Sequence, residues 1–152
     1  MKKCVLVLLT FVPIIVGYIV NHLLVLPIIG VGLYFVLPLL TTAFWFYLGR
    51  QYAHSTWKTA PAILIGNATG VISLLVYLWQ FLLENAETRN LSLAAASQMF
   101  SMSTPLYLFG RFAVLFDYTG RTTYVTQQVI SVLYMITVFS VAIFWEKKHF
   151  KV

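Results

Sequence analysis

An uncharged stretch near the start of the chain limits what this sequence can fold into more than any other feature. No Asp, Glu, Lys or Arg occurs from residue 4 to residue 49, and most residues there are Leu, Val, Ile, Phe or Gly. A helix needs roughly 20 apolar residues to cross the hydrocarbon core of a bilayer, so this stretch is long enough for two crossings. A soluble helical domain would place charged residues on the wet face of each helix. The sequence therefore predicts a polytopic membrane protein.

The composition supports the same class. Of 152 residues, 61% are hydrophobic and 9% are charged, whereas about 25% of residues are charged in an average soluble domain. We expect a single membrane domain over residues 1–152. Because the basic residues flank apolar runs, we attribute the net charge of +6 to topology and contact with membrane lipids, not to nucleic acid. Cys4 is the one cysteine, which excludes intrachain disulfides and cysteine-rich metal sites.

Four apolar runs are predicted to span the membrane, at about residues 4–20, 28–49, 60–83 and 125–145. The expected fold class is an all-α bundle of four transmembrane helices with an extra amphipathic or re-entrant element at about residues 91–116, between the third and fourth spans. The first half of this element is too polar to face lipid, and its second half holds Arg111, a residue that is costly at the bilayer centre. The sequence leaves open whether the element is interfacial, re-entrant or a fifth span.

The basic residues predict the orientation. With four spans and an inner N terminus, the inner side carries Lys2, Lys3, Arg50, Lys58, Lys147, Lys148 and Lys151, and the outer side carries Arg89, Arg111 and Arg121. A fifth span would move the C-terminal lysines outside and bury Arg111. Because basic residues concentrate on the cytoplasmic side, we expect a plasma-membrane protein with both termini in the cytoplasm.

Small residues mark one face of the third span. Ala62, Gly66 and Gly70 recur every four residues, and Asn67 lies beside them. Such a face lets another helix approach closely, and packing within the bundle is its commoner use. The leading functional hypothesis uses it differently, as the contact surface of a non-catalytic subunit or accessory protein that packs against a second copy or a larger membrane partner.

Prolines suggest a second hypothesis, a small transporter or channel. Pro13 and Pro38 fall at similar depths if the first two spans are antiparallel, and each removes one backbone hydrogen bond. The resulting kinks could frame a cavity in the middle of the membrane, with Asn67 as a coordinating group. The alternative is that they are prolines of the kind that membrane helices tolerate without a functional role.

A third hypothesis is an enzyme that handles lipids or anions at the outer face. His22, Arg111, Asp117 and Arg121 fall on that side, and a guanidinium can bind a phosphate or carboxylate in bidentate fashion. The alternative is that these charges pair with one another and anchor a surface helix. No catalytic motif, metal-ligand spacing or cofactor fingerprint occurs, so we expect no cofactor and assign no catalytic residue.

Overall fold

The computed structural model describes residues 2–23, 29–108 and 121–150, except the side chains of residues 29–31, 108 and 121–123. All regular secondary structure within these ranges is helical. The helices are α1 (Lys3–Leu9), α2 (Val12–Leu23), α3 (Ile29–Ala53), α4 (Thr59–Leu78), α5 (Leu91–Met102), α6 (Pro105–Leu108) and α7 (Arg121–Phe150). A π-helical turn, Trp79–Leu83, continues α4.

Four of the described helices are long and apolar enough to cross a membrane: Lys3–Leu23, which combines α1 and α2, then Gly32–Ala53, Thr59–Leu83 and Tyr124–Phe150. Their outward faces are strongly apolar. Leu8, Leu64 and Leu83, for example, are 68%, 72% and 79% exposed. The prediction of an all-α chain with four helices of membrane-spanning length and composition is therefore confirmed. The last helix runs on to Phe150, beyond the predicted limit at residue 145.

The first of these four helices is interrupted near Pro13. The N–H of Thr10 bonds the carbonyl of Val7 at 3.1 Å, the spacing of a tight turn. Pro13 has no N–H with which to bond the carbonyl of Leu9, so the regular ladder stops there. The hydroxyl of Thr69 on α4 donates to the carbonyl of Thr10 at 3.0 Å, which satisfies a group exposed by the interruption.

Pro38 has a smaller effect, because α3 remains helical through it. The hydroxyls of Thr41 and Thr42 donate to the carbonyls of Leu37 and Pro38 at 2.9 and 3.0 Å, within the same helix. Of the two predicted kinks, therefore, the one at Pro13 interrupts a helix and the one at Pro38 does not.

The core forms where α3 and α7 meet. Trp45 and Leu48 of α3 are fully buried with Phe139 and Ile143 of α7. Gly49 allows the two helices to come close, since a Cβ at this position would lie 2.7 Å from the carbonyl oxygen of Phe139. The close packing of α3 on α7 therefore requires glycine at position 49.

The first part of the predicted extra element is a helix inside the bundle. α5 packs against α2, α4 and α7. Phe100 is buried 5.9 Å from the ring of Trp45, centroid to centroid. A Cβ at Gly70 of α4 would meet the Phe100 ring at 2.6 Å, and a Cβ at Gly17 of α2 would overlap the backbone of Met99. Residues 109–116 of the predicted element lie outside the described residues.

The bundle has two chemically different ends. We call the end that holds Lys3, Arg50, Thr59 and Lys147 the basic end; Lys3 lies over the Trp57 ring there, 5.6 Å from its centroid. The opposite end, where α4 finishes and α5 begins, we call the Gln80 end.

Candidate functional site

Seven buried polar side chains lie on α5, in the turn that follows it and on the first half of α7, where Ser101 contacts Gln128. We call this group the polar seam; its members are Ser97, Ser101, Ser103, Thr104, Gln127, Gln128 and Ser131. All of them are buried, although none carries a charge. Polar residues inside an apolar bundle serve either as hydrogen-bonded glue between helices or as the wall of a path for polar solutes.

The Gln80 end fixes the start of α5. The side chain of Asn90 caps the helix by accepting from the N–H of Leu93 at 3.0 Å. The side-chain oxygen of Gln80 accepts from the N–H of Asn90 at 2.9 Å, and Arg89 Nε donates to the backbone oxygen of Gln80 at 2.8 Å. These bonds attach the first turn of α5 to the π-helical end of α4, which directs α5 back along the bundle.

Most hydroxyls of the seam donate to carbonyls of their own helical segment. Ser97, Ser103 and Thr104 each bond the carbonyl three residues earlier, at 2.6 to 2.7 Å. Ser101 also contacts the side-chain oxygen of Gln128, which joins α5 to α7. A hydroxyl that donates locally keeps its acceptor lone pairs available.

Ser131 is the unsatisfied member of the seam. Its side chain is 0% exposed, and its hydroxyl has no hydrogen-bond partner among the described residues. It follows Gln127 and Gln128 by one helical turn, so all three share a region of α7. Leaving a buried hydroxyl unpaired costs about 1–3 kcal/mol.

Tyr107 of α6 is bonded to one residue of the seam. Its backbone oxygen accepts from Gln127 Nε2 at 3.1 Å. Burial raises the pKa of the Tyr107 phenol above its ordinary value, with smaller contributions from Tyr34 and Tyr124. The phenol is therefore neutral at physiological pH and adds no charge to this region.

A second cluster, at the basic end, contains the buried carboxylate of Glu146, near the end of α7. The Glu146 side chain is 4% exposed; its oxygens lie 2.5 Å from Arg50 Nε and 2.8 Å from His54 Nε2. The sequence signal that could have revealed the cluster is the spacing of Arg50 and His54, four residues apart and thus on one helix face.

The Glu146 cluster links three helices and has a structural role. The Arg50 guanidinium also lies over the Trp145 ring, 5.1 Å from its centroid, and Lys147 Nζ donates to the hydroxyl of Thr59 on α4 at 2.9 Å. Both oxygens of the Glu146 carboxylate have a partner, one in Arg50 and the other in His54. In the part of the chain that the structure describes, no three His, Cys, Asp or Glu side chains are arranged to hold a metal ion.

The predicted packing residues all lie inside the bundle: Ala62, Gly66, Asn67 and Gly70. A Cβ at Gly66 would overlap the ring of Phe139, and Gly70 faces Phe100. Side chains of the same chain thus occupy the small-residue face. This is the commoner of the two uses weighed above, and the face is not available to a partner in this conformation.

Asn67 is fully committed within the protein. Its side-chain oxygen accepts from Trp45 Nε1 at 3.3 Å, and its side-chain nitrogen donates to the carbonyl of Ile63 at 2.9 Å. It is 2% exposed. Its contacts are those of a residue that joins α3 to α4, and it lies outside the polar seam.

The predicted outer pocket is described only in part. His22 is exposed at the end of α2, where its ring Nδ1 lies 3.0 Å from the carbonyl of Tyr18. Arg111 and Asp117 lie outside the described residues, and the side chain of Arg121 is not described. Anion or lipid binding by these four residues stays a prediction.

Comparison with protein-family models, with curated proteins and with solved structures finds no match to this chain. A functional proposal therefore depends on the geometry of the seam and of the helices around it.

Proposed function

We propose that this chain is a multi-pass protein of the plasma membrane that transports or conducts a small cation along the polar seam. The observation that carries the proposal is α5, a short helix whose buried hydroxyls lie among three helices of the bundle. Its 12 residues correspond to about 18 Å of helix, roughly half the thickness of a bilayer with its interfaces. We interpret it as a re-entrant half-helix that enters from the Gln80 end.

Interrupted helices support a transport role. The N-terminal span breaks at Thr10, and α5 stops at Met102 before the turn at Ser103 and Thr104. α2, which begins just after the break, packs directly against α5. Many transporters build their substrate sites from helices that are interrupted in the membrane, because the freed backbone groups can then coordinate an ion.

The chemistry of the seam favours cations. Its ligand atoms are hydroxyl and amide oxygens, which suit hard cations. The C-terminal end of α5 points into the bundle and carries the partial negative charge of the helix dipole. The hydroxyl of Ser131, which has no hydrogen-bond partner among the described residues, supplies a place where a hydrated ion would gain a ligand.

The orientation follows from charge. Lys3, Arg50, Lys58 and Lys147 belong to the basic end, which the positive-inside rule assigns to the cytoplasm. Both termini then lie in the cytoplasm, and α5 enters from the outer side.

The other two hypotheses stay predictions. A subunit that binds a partner through Ala62, Gly66 and Gly70 would have to displace Phe100 and Phe139, which occupy that face. An outer-face enzyme depends on Arg111 and Asp117, which the structure does not describe. We therefore place the transporter hypothesis first, with its path moved from Pro38 and Asn67 to the seam.

The direct test is ion flux in liposomes that contain the purified full-length protein, with Na⁺, K⁺ and H⁺ measured separately. Gln128→Leu removes a seam oxygen that contacts Ser101. We expect it to reduce flux about tenfold, since a buried polar contact in a membrane is worth about 1–2 kcal/mol. Thr137→Val is the matched control, because Thr137 lies on the exposed side of the same helix.

The proposal fails if none of the three ions crosses faster than in empty liposomes. It also fails if Gln128→Leu and Thr137→Val leave flux equally unchanged. Circular dichroism of both variants establishes that each is folded.

A further inference from the structure

A groove follows the outside of the bundle between α3 and α7. Its volume is about 530 Å³, and its walls include Leu39, Ala43 and Phe46 of α3 and Tyr134, Val138 and Val141 of α7. The lining is almost entirely apolar. Ala43 contributes only a methyl group to the lining, whereas Phe46 and Tyr134 contribute aromatic rings.

The groove leads to a charged group at the basic end. The lining residues have the same spacing on both helices, and the next position on that face is Arg50 on α3 and Trp145 on α7. The Arg50 guanidinium lies over the Trp145 ring, and the ring of Phe46 lies 6.3 Å from that of Trp145, centroid to centroid. The apolar groove therefore ends beside the positively charged guanidinium of Arg50.

The length of the feature matches one leaflet of a bilayer. From Leu39 to Arg50 is eleven helical positions, or about 16 Å of helix. The hydrocarbon core of a bilayer is about 30 Å thick, so one leaflet contributes about 15 Å. If the headgroup of a lipid lay at Arg50, its acyl chain would extend along the groove as far as Leu39.

We propose that this groove binds one acyl chain of an anionic phospholipid, whose phosphate contacts Arg50 and Lys148. A guanidinium has five N–H donors, more than the two oxygens of Glu146 require, and the Arg50 side chain is 36% exposed. Lys148 is exposed and lies three residues after Trp145, on the same face of α7. Charge complementarity therefore favours an anionic headgroup over a zwitterionic one.

This inference uses the membrane location proposed above and is independent of cation transport. The test is native mass spectrometry of the full-length protein in detergent, titrated with phosphatidylglycerol or with phosphatidylcholine of the same acyl chains. We expect the wild type to bind phosphatidylglycerol more tightly, because two cations lie at the mouth of the groove.

Two variants separate the acyl chain from the headgroup. Ala43→Phe fills the groove and should weaken the binding of both lipids by about tenfold. Its control is Ala96→Phe, at an exposed position of α5. Lys148→Gln should weaken binding of phosphatidylglycerol alone, by about fivefold. Its control is Lys58→Gln, which removes an exposed lysine from the same end of the molecule but away from the groove.

Equal affinity of the wild type for the two lipids would overturn the proposal, and so would unchanged binding in Ala43→Phe. A dimer that dissociates in Ala43→Phe while phosphatidylglycerol binding persists would assign the groove to a second copy of the chain and would also overturn it. Because the measurement involves no ion flux, its result is separate from that of the transport assay.

Discussion

Asn67 and Trp45 form a polar contact at the centre of an otherwise apolar region. The Trp45 indole donates to the Asn67 side chain, and Trp45 itself is fully buried against Phe100 and Phe139. Within a bilayer no water reaches such groups, so each must find a partner inside the protein. The pair therefore fixes how α3 and α4 are rotated relative to each other.

Replacing Asn67 by Leu tests this contact. We expect Asn67→Leu to lower the free energy of unfolding by about 1–2 kcal/mol, because the Trp45 N–H loses its acceptor. The measurement is SDS-induced unfolding in mixed micelles, followed by circular dichroism. Asn85→Leu, in the exposed turn after α4, is the control and should change little.

A double-mutant cycle with Trp45→Phe strengthens the test. Once Asn67 has become Leu, the additional loss caused by Trp45→Phe should be smaller than in the wild type. Additive losses would mean that the two side chains do not interact.

The small-residue face of α4 determines how closely other helices pack against it. Gly66 receives the ring of Phe139 from α7, and Gly70 receives that of Phe100 from α5. One helix face thus accommodates two other helices, each through a phenylalanine. The spacing of the glycines indicates close packing from the sequence alone, but it does not identify which helices pack there.

Gly66→Ala should be destabilising, because its new methyl group would overlap the Phe139 ring. Overpacking of this kind costs about 1–3 kcal/mol. Phe139→Leu in the same chain should recover part of that loss by making room. Gly32→Ala is the control, since a Cβ at Gly32 would meet nothing within 4 Å. Unfolding curves are compared for the wild type, Gly66→Ala, Gly66→Ala with Phe139→Leu, and Gly32→Ala. If adding Phe139→Leu only deepens the loss of stability in Gly66→Ala, the contact is contradicted.

The burial of α5 depends on residues that are distant from it in sequence. The serines and threonines of residues 91–104 made a lipid-exposed helix unfavourable, which is a local property of composition. Their burial against α2, α4 and α7 depends on distant partners such as Gly17 and Gln128. Interfacial, re-entrant and membrane-spanning helices were all compatible with the local pattern, so the sequence left the three open.

The whole molecule is asymmetric in charge. Among the described residues, the basic end carries most of the lysines, whereas Arg89 is the basic residue of the turn between α4 and α5. Since basic loops are retained in the cytoplasm, this asymmetry predicts a defined orientation.

Cysteine labelling tests that orientation. In a Cys4→Ser background, Glu87→Cys and Lys148→Cys place single thiols at exposed positions of opposite ends. A membrane-impermeant maleimide should label Glu87→Cys in intact cells and Lys148→Cys only after permeabilisation. Labelling in the reverse order would invert the topology, and labelling of both in intact cells would contradict the single span, α7, that separates the two positions.

The all-α class and the four long apolar helices follow from the amino-acid sequence alone, because length and hydropathy are properties of consecutive residues. Of the two prolines at which kinks were predicted, Pro13 interrupts a helix and Pro38 does not, so the missing N–H alone does not determine where a helix breaks. The pairing of polar residues, in contrast, follows from how the helices pack in three dimensions. Glu146 pairs with Arg50 across 96 positions of sequence, and Ser101 reaches Gln128 across the interface of two helices. Such contacts depend on how helices pack and rotate, which local composition does not specify.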